Sequence, residues 1–383
     1  MNSFTANPIK MDKPIRWFGA LQGLRAIAFL AIFLSHSGIG PFGCFGPWGV
    51  SLFLMMSGFL MSYRYLQKSN TPTFGFSFVW SKLKKLYPLH IIMMIAKLPF
   101  AFVYLFRGWV SLALLLVAIC LNVTLLQIWI PNESLYTLLN GPSWFMCVIA
   151  LAYLFFPIFL SALRNIDSVL SAFKMLMIFI IVHVFFSLVS TYLLKAGFNP
   201  EYIKWLTYYF PPVRCCDFGI GGILGWLYLH RASRESSHHE SWFQISCLLF
   251  CFLLIAASMY VYTYRVTILG LDSFRFSLLF LPSTMLLIWL LSTATGVVEK
   301  AWSIKPLQWV AEMSPYAFLI HDVVIRYIWI VFQMCFSDAP RLIGFLVSLL
   351  LTLFLSYLWR KLSTNLQFDL GAIAIDRVDR GNK

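Results

Sequence analysis

The sequence predicts an all-α fold, a polytopic transmembrane helix bundle of about ten spans drawn from eleven hydrophobic helices, and three observations lead there. Of the 383 residues, 60% are hydrophobic and only 11% charged, with a mean hydropathy of +0.79, whereas a soluble domain carries roughly a quarter charged residues. Such a chain cannot cover its surface with polar groups, so lipid must be its solvent. Apolar runs long enough to cross a bilayer core, which takes about 20 residues as a helix, recur to the end of the chain. Basic residues gather in the short loops between them.

The apolar runs fall near 18–37, 47–66, 86–106, 110–130, 143–162, 171–194, 209–229, 242–262, 275–295, 313–336 and 341–359. Lys68, Lys82, Lys84 and Lys85 mark the loop 67–85 as cytoplasmic under the positive-inside rule. Arg231 and Arg234, Lys300 and Lys305, and Arg360 and Lys361 do the same for 230–241, 296–311 and the tail. Eleven crossings cannot satisfy those assignments from a cytoplasmic start; ten can if 86–130 crosses once. Lys97, Pro99 and Arg107 interrupt the first half of that region, and both polar cost and proline weaken a lipid-facing helix. One span plus a bent or re-entrant piece is expected there. The whole chain reads as one membrane domain, with 1–16 and 360–383 as cytoplasmic tails. Lys10, Lys13 and Arg16 precede the first run, and no small-residue cleavage site follows it, so it reads as an uncleaved span.

A net charge of +14 would suggest nucleic acid in a soluble chain; here it reads as loop orientation, and no nucleic-acid partner is expected. The cysteines, among them Cys120, Cys147, Cys247 and Cys251, lie mostly inside apolar runs, Cys215 and Cys216 are adjacent, and no pair has zinc spacing. No metal site is expected. Ser236, Ser237, His238 and His239 form only a short polar loop. P-loop and dinucleotide-binding stretches are absent.

The first span carries Arg25 and His36, ten residues apart. Eleven steps of about 100° bring both onto one face, roughly 16 Å apart along the axis. An intramembrane arginine costs roughly 2.5–3.5 kcal/mol on insertion scales, and such residues usually face the bundle interior. One reading is a polar reaction track; the other is an Arg25 that snorkels to the interface and a His36 at the outer boundary. The second run reads Gly49-Val50-Ser51-Leu52-Phe53-Leu54-Met55-Met56-Ser57-Gly58-Phe59. Taken together, the two stretches resemble acyltransferase family 3 of bacterial integral membrane proteins. That family carries Arg-(ten residues)-His in its first helix and Gly-Val-x-x-Phe-Phe-x-x-Ser-Gly-Phe in its second.

Further stretches extend the resemblance. Lys82-Leu83-Lys84-Lys85-Leu86-Tyr87-Pro88 resembles the family's basic segment, with Lys82 and Lys85 where it has arginines. Residues three apart share a helix face, and the resemblance implies contact with the phosphates of acyl-coenzyme A. Lysine binds phosphate without the bidentate fork of arginine, so an orienting anchor is the competing reading. Gly141-Pro142-Ser143-Trp144, with Tyr153 and Pro157, resembles a Trp-Ser-Leu-Ser-x-Glu stretch in which Ile149 replaces the glutamate. Arg214, Asp217, Phe218 and Gly221 resemble Arg-x-x-Glu-Phe-x-x-Gly; spacing favours an internal Arg214–Asp217 pair. Ser314-Pro315-Tyr316 and Leu319-Ile320-His321 resemble the family's Ser-Tyr-x-x-Tyr-Leu-x-His stretch, so His321 would line the cavity or serve as a hydrogen-bonded structural histidine. His90 and His183 match no motif and read as structural.

The resemblance implies transfer of an acyl group, commonly acetyl, from acetyl-CoA as co-substrate to a carbohydrate hydroxyl, with no permanently bound cofactor. The acceptor would be surface polysaccharide, lipid-linked glycan, peptidoglycan or an antibiotic sugar. His36 is the expected base or transient acyl carrier, and Arg25 the group that holds a donor phosphate or stabilises developing charge. Lys82 and Lys85 are expected at coenzyme A, and Ser57, Trp144, Arg214, Asp217 and His321 around the cavity. The expected setting is the lipid bilayer of a bacterial inner membrane, both termini cytoplasmic. A glycan or lipid transporter or flippase is the rival, since it too would use intramembrane Arg and His. No paired broken helices occur in corresponding halves to support it.

Overall fold

A computed structural model describes residues 16–40, 42–232, 241–265, 267, 270, 272–335 and 341–380, of which 232, 241 and 365–380 are described as helical backbone alone. The tail before Arg16, the loop 233–240 with Arg234 and the Ser-Ser-His-His run, and residues 381–383 lie outside the described residues.

In chain order the helices are α1 (Gly19–His36), α2 (Phe45–Leu66), α3 (Phe76–Leu83), α4 (Tyr87–Phe106), α5 (Leu112–Val123), α6 (Glu133–Thr137), α7 (Trp144–Arg164), α8 (Val169–Lys195), α9 (Pro200–Lys204), α10 (Pro211–Ala232), α11 (Ser241–Tyr260), α12 (Leu281–Ser292), α13 (Gly296–Trp302), α14 (Lys305–Cys335) and α15 (Arg341–Arg380). Among the described residues eight helices are long and apolar enough to cross a membrane, and α12 with α13 forms a ninth candidate bent by 108°. α10 has the length of a span, but Arg214 and Asp217 lower its hydropathy; it compensates by burial in the bundle. These elements occupy ten of the eleven apolar runs. The remaining run contains α5, whose 12 residues reach only about 18 Å, too short to cross.

The region 86–130 therefore holds one helix of spanning length and one short piece. Its first half is the span: α4 runs continuously through Pro99. Lys97 does not interrupt it, because its Nζ meets Asp322 Oδ2 of α14 at 2.5 Å in a buried position. Intramembrane charge is tolerated where it is paired inside the bundle.

α12 breaks before Gly296, which takes φ +60. The backbone freed at the break does not stay orphaned: Thr295 N–H donates to Gln244 Oε1 at 3.3 Å, and Gln244 Nε2 donates to Thr295 Oγ1 at 3.0 Å. Irregular backbone at membrane depth needs such partners.

The core is built on α1, α2, α10 and α14. α2 and α10 pack backbone to backbone: a methyl group built on Gly221 would strike the Met55 carbonyl, and one on Gly58 the Phe218 carbonyl. Small residues permit this approach in lipid, where tight packing drives association. Gly221→Ala is expected to lower stability by about 1–3 kcal/mol through overpacking, read as a drop in thermal midpoint in detergent. Gly344→Ala, whose methyl would meet Trp329 at an ordinary 3.6 Å, should leave the midpoint unchanged.

Candidate active site

The start of α1 meets the end of α2 at one face of the bundle. Phe18 packs edge-on against Tyr63 at 4.8 Å and Tyr228 at 5.2 Å, and the Arg16 guanidinium donates to Tyr228 Oη at 2.9 Å. Arg16 also pairs with Glu299 at 3.5 Å. Burial alone would lower the Arg16 pKa, but contacts with Tyr228 and Glu299 together outweigh it and raise the pKa above the ordinary value.

From this face a cavity of about 370 Å³ runs inward between α1, α2 and α7. Arg16, Trp17 and Arg64 stand at its mouth; Gln22, Arg25, Phe53, Ser57 and Tyr153 line it further in. The volume lies within the usual range for ligand sites. Arg25, about 9 Å along α1 from Gly19, is half-buried and places its guanidinium 5.9 Å from the Phe53 ring centre. Ser57 Oγ and Tyr153 Oη lie 3.4 Å apart. Among the described residues no carboxylate pairs with Arg25, so this cation is available to an anionic or developing-anionic group.

His36 lies at the other end of α1. Its Nδ1 donates to the Ile32 carbonyl at 2.9 Å, which leaves Nε2 with the lone pair. Its ring is exposed and lies 5.0 Å from that of buried His321 in an edge-to-face contact. His321 Nδ1 donates to the Phe318 carbonyl at 2.8 Å, and its Nε2 is buried with no hydrogen-bond partner among the described residues. Beside His321 in sequence, Asp322 holds Lys97. Two chemically suited groups thus stand on the same helix, about 16 Å apart along its axis.

The expected open track between them is interrupted. Phe29 and Phe33, fully buried, follow Arg25 at helical spacing on the way to His36 and both touch His321, at 6.4 and 6.2 Å. Phe53, Phe145 and Phe318 complete an aromatic layer across the bundle. The stripe of α1 is therefore polar only at its ends, and His36 does not line the Arg25 cavity.

The other candidate residues divide. Ser57 lines the cavity. Lys82 Nζ donates to Tyr65 Oη at 2.5 Å and lies over the Tyr65 and Phe78 rings. α3 ends at Leu83, and Lys85 is exposed in the turn before α4, so the two lysines do not share a helix face and neither lines the cavity. Trp144 packs against Tyr208 and Tyr209 at 5.2 and 5.0 Å, in an irregular π-turn over Trp205–Tyr209. Ile149 is ordinary core.

Arg214 and Asp217 form the expected pair, 2.9 Å apart and fully buried. Asp217 also accepts from Ser277 at 3.0 Å and Ser51 at 3.3 Å, and His183 Nε2 stands 3.1 Å from its Oδ1. This cluster joins α2, α8 and α10 and contributes nothing to the Arg25 cavity. His183 thus meets Asp217 and His90 Nε2 meets the Asn122 carbonyl at 3.0 Å, and neither lines the Arg25 cavity.

Sequence reasoning missed Arg64 and Gln22 at the cavity, the Tyr153 hydroxyl as a partner of Ser57, and the Lys97–Asp322 pair. The last had a readable signal, because both charges lie inside apolar runs and each requires a partner there.

Residues 18–360 match a family model described as "Acyltransferase domain". Over 170 residues the chain is 25% identical to Acyltransferase MdmB of Streptomyces mycarofaciens, covering 38% of this chain and 40% of that protein. The match thus spans less than half of that relative's length. No solved structure matches the chain.

Proposed function

The chain belongs to this acyltransferase family, and from that premise we propose that it moves an acyl group, most simply acetyl, from acyl-coenzyme A to a carbohydrate hydroxyl. The observation that carries the reading is the positively lined cavity ending at an Arg25 that no carboxylate among the described residues pairs with. Acyl-CoA is an elongated anion with one neutral end, and this cavity offers cations at its mouth and a further cation with two hydroxyls inside.

In this reading Arg16 and Arg64 take the phosphates, with Lys82 and Lys85 contributing positive charge nearby. Arg25, Ser57 and Tyr153 donate to the thioester carbonyl oxygen of the bound donor. His36 Nε2 takes the proton of the acceptor hydroxyl. The new C–O bond forms, the C–S bond breaks, and the thiolate leaves with the proton that the imidazolium returns. The carbonyl held at Arg25 and the base at His36 lie about 16 Å apart along α1, so transfer follows donor binding only after the aromatic layer opens and the acyl-pantetheine arm advances toward His36. His321 packs the imidazole of His36 in place. The cavity mouth faces the cytoplasm, where acyl-CoA is made, and the positive loops orient both termini there. The acceptor is a surface polysaccharide or lipid-linked glycan of a bacterial envelope, met at the opposite side of an inner membrane.

The test is reconstitution of the full chain in proteoliposomes with acetyl-CoA labelled in its acetyl group and a panel of such glycans. Acyl transfer predicts equimolar free coenzyme A and labelled ester, released by mild alkali. Glycan movement across the bilayer with neither product would establish the transporter reading instead.

A further inference from the structure

The deep end of the Arg25 cavity is closed by an aromatic side chain, and we propose that this residue, Phe53, sets the length of the acyl group the protein accepts, restricting the donors to short acyl thioesters. The inference rests on the reading of the cavity as the acyl-CoA site and narrows its substrate class.

The order of groups along the cavity fixes what Phe53 meets. Arg16 and Arg64 at the mouth suit the charged nucleotide end of the donor, and Arg25 suits the thioester carbonyl. The acyl carbons, the apolar terminus, then lie beyond Arg25, where Phe53 stands with its ring 5.9 Å from the guanidinium. Phe53 and Ser57 are four residues apart on α2 and share a face, so the carbonyl-binding hydroxyl and the closing ring sit one turn apart.

Phe53 has little room to retreat. It is 9% exposed, and behind it Phe318 and Phe145 lie at 6.0 and 6.4 Å, themselves in contact at 5.1 Å. Phe318 in turn leans on His321 at 5.8 Å. A ring held by a cation on one side and two rings on the other is part of a close-packed interior, which resists added volume. An acetyl methyl needs little space beyond the carbonyl; each further methylene must displace this layer.

The experiment is competition binding to the full chain in lipid nanodiscs, using coenzyme A, acetyl-CoA, butyryl-CoA and hexanoyl-CoA as probes. The wild type should prefer acetyl-CoA, with affinity falling by about tenfold or more for the longer thioesters. Phe53→Ala, and Phe53→Leu if the alanine variant melts early, should flatten or invert that order. Arg64→Ala should weaken all four probes by one common factor and keep the order. Equal binding of all thioesters by the wild type, or an unchanged order in folded Phe53 variants, would overturn the inference while leaving the acyl-CoA site intact. If the wild type binds none of the four, the reading of the cavity fails first, and the inference with it.

Discussion

Replacing His36 by alanine leaves acetyl-CoA binding unchanged and lowers transfer to the acceptor by roughly 10²–10⁴-fold, the usual contribution of a positioned general base. The separation of effects follows from geometry. His36 lies at the far end of α1 from Arg16 and outside the Arg25 cavity, so the donor pocket keeps its shape without it. Its Nε2 carries the lone pair because Nδ1 is committed to the Ile32 carbonyl. The imidazole is exposed, so truncation leaves little void and little loss of stability. Free coenzyme A release in proteoliposomes measures the chemistry, and nanodisc binding measures the donor site. A His36→Ala protein that is correctly inserted and transfers at the wild-type rate would remove His36 from the mechanism.

The largest stability effect is expected at Asp217. Removing one member of a buried ion pair costs about 3–5 kcal/mol, since the survivor stays charged without compensation. Asp217→Ala would strand Arg214, 2.9 Å away and fully buried, together with the Ser51 and Ser277 hydroxyls and His183. The cluster joins α2 to α10 and α8, so the loss should appear as low membrane yield and an early thermal transition. Replacing both charges, as Arg214→Met with Asp217→Leu, should recover part of the loss, because no unpaired charge remains. A double variant worse than Asp217→Ala alone would instead indicate that the charges do more than balance each other.

The spans were legible because lipid imposes one dominant rule, a run of apolar residues of bilayer length, and the run at 18–37 obeys it even though it carries Arg25. The 86–130 region reads as one crossing plus a bent or re-entrant piece, and the helix of spanning length, α4, is the half that carries Lys97 and Pro99. Lys97 looked like an interruption only while its partner, Asp322, was 225 positions away in the chain. Arg25 and Ser57 were found through their motifs and do share a cavity. Resemblance to the family's basic segment and a three-residue spacing set Lys82 and Lys85 on one helix face; the chain instead ends α3 at Leu83 and turns ahead of Pro88. The aromatic layer was written in Phe29, Phe33 and Phe53, yet in a chain with 37 phenylalanines nothing local distinguishes a closing ring from one that faces lipid. Which side chains meet across the bundle depends on helix rotation, and hydropathy carries no record of it.

The central claim is that Arg25 receives the acyl-CoA donor inside the cavity. Equilibrium binding of acetyl-CoA to the full chain in nanodiscs, compared between wild type and Arg25→Ala, tests it directly. Loss of a buried, charge-assisted contact predicts binding weaker by at least about tenfold, as expected for 1.5–3 kcal/mol, with the thermal midpoint little changed. Identical affinity in the two proteins would contradict the account and leave the cavity without its proposed ligand.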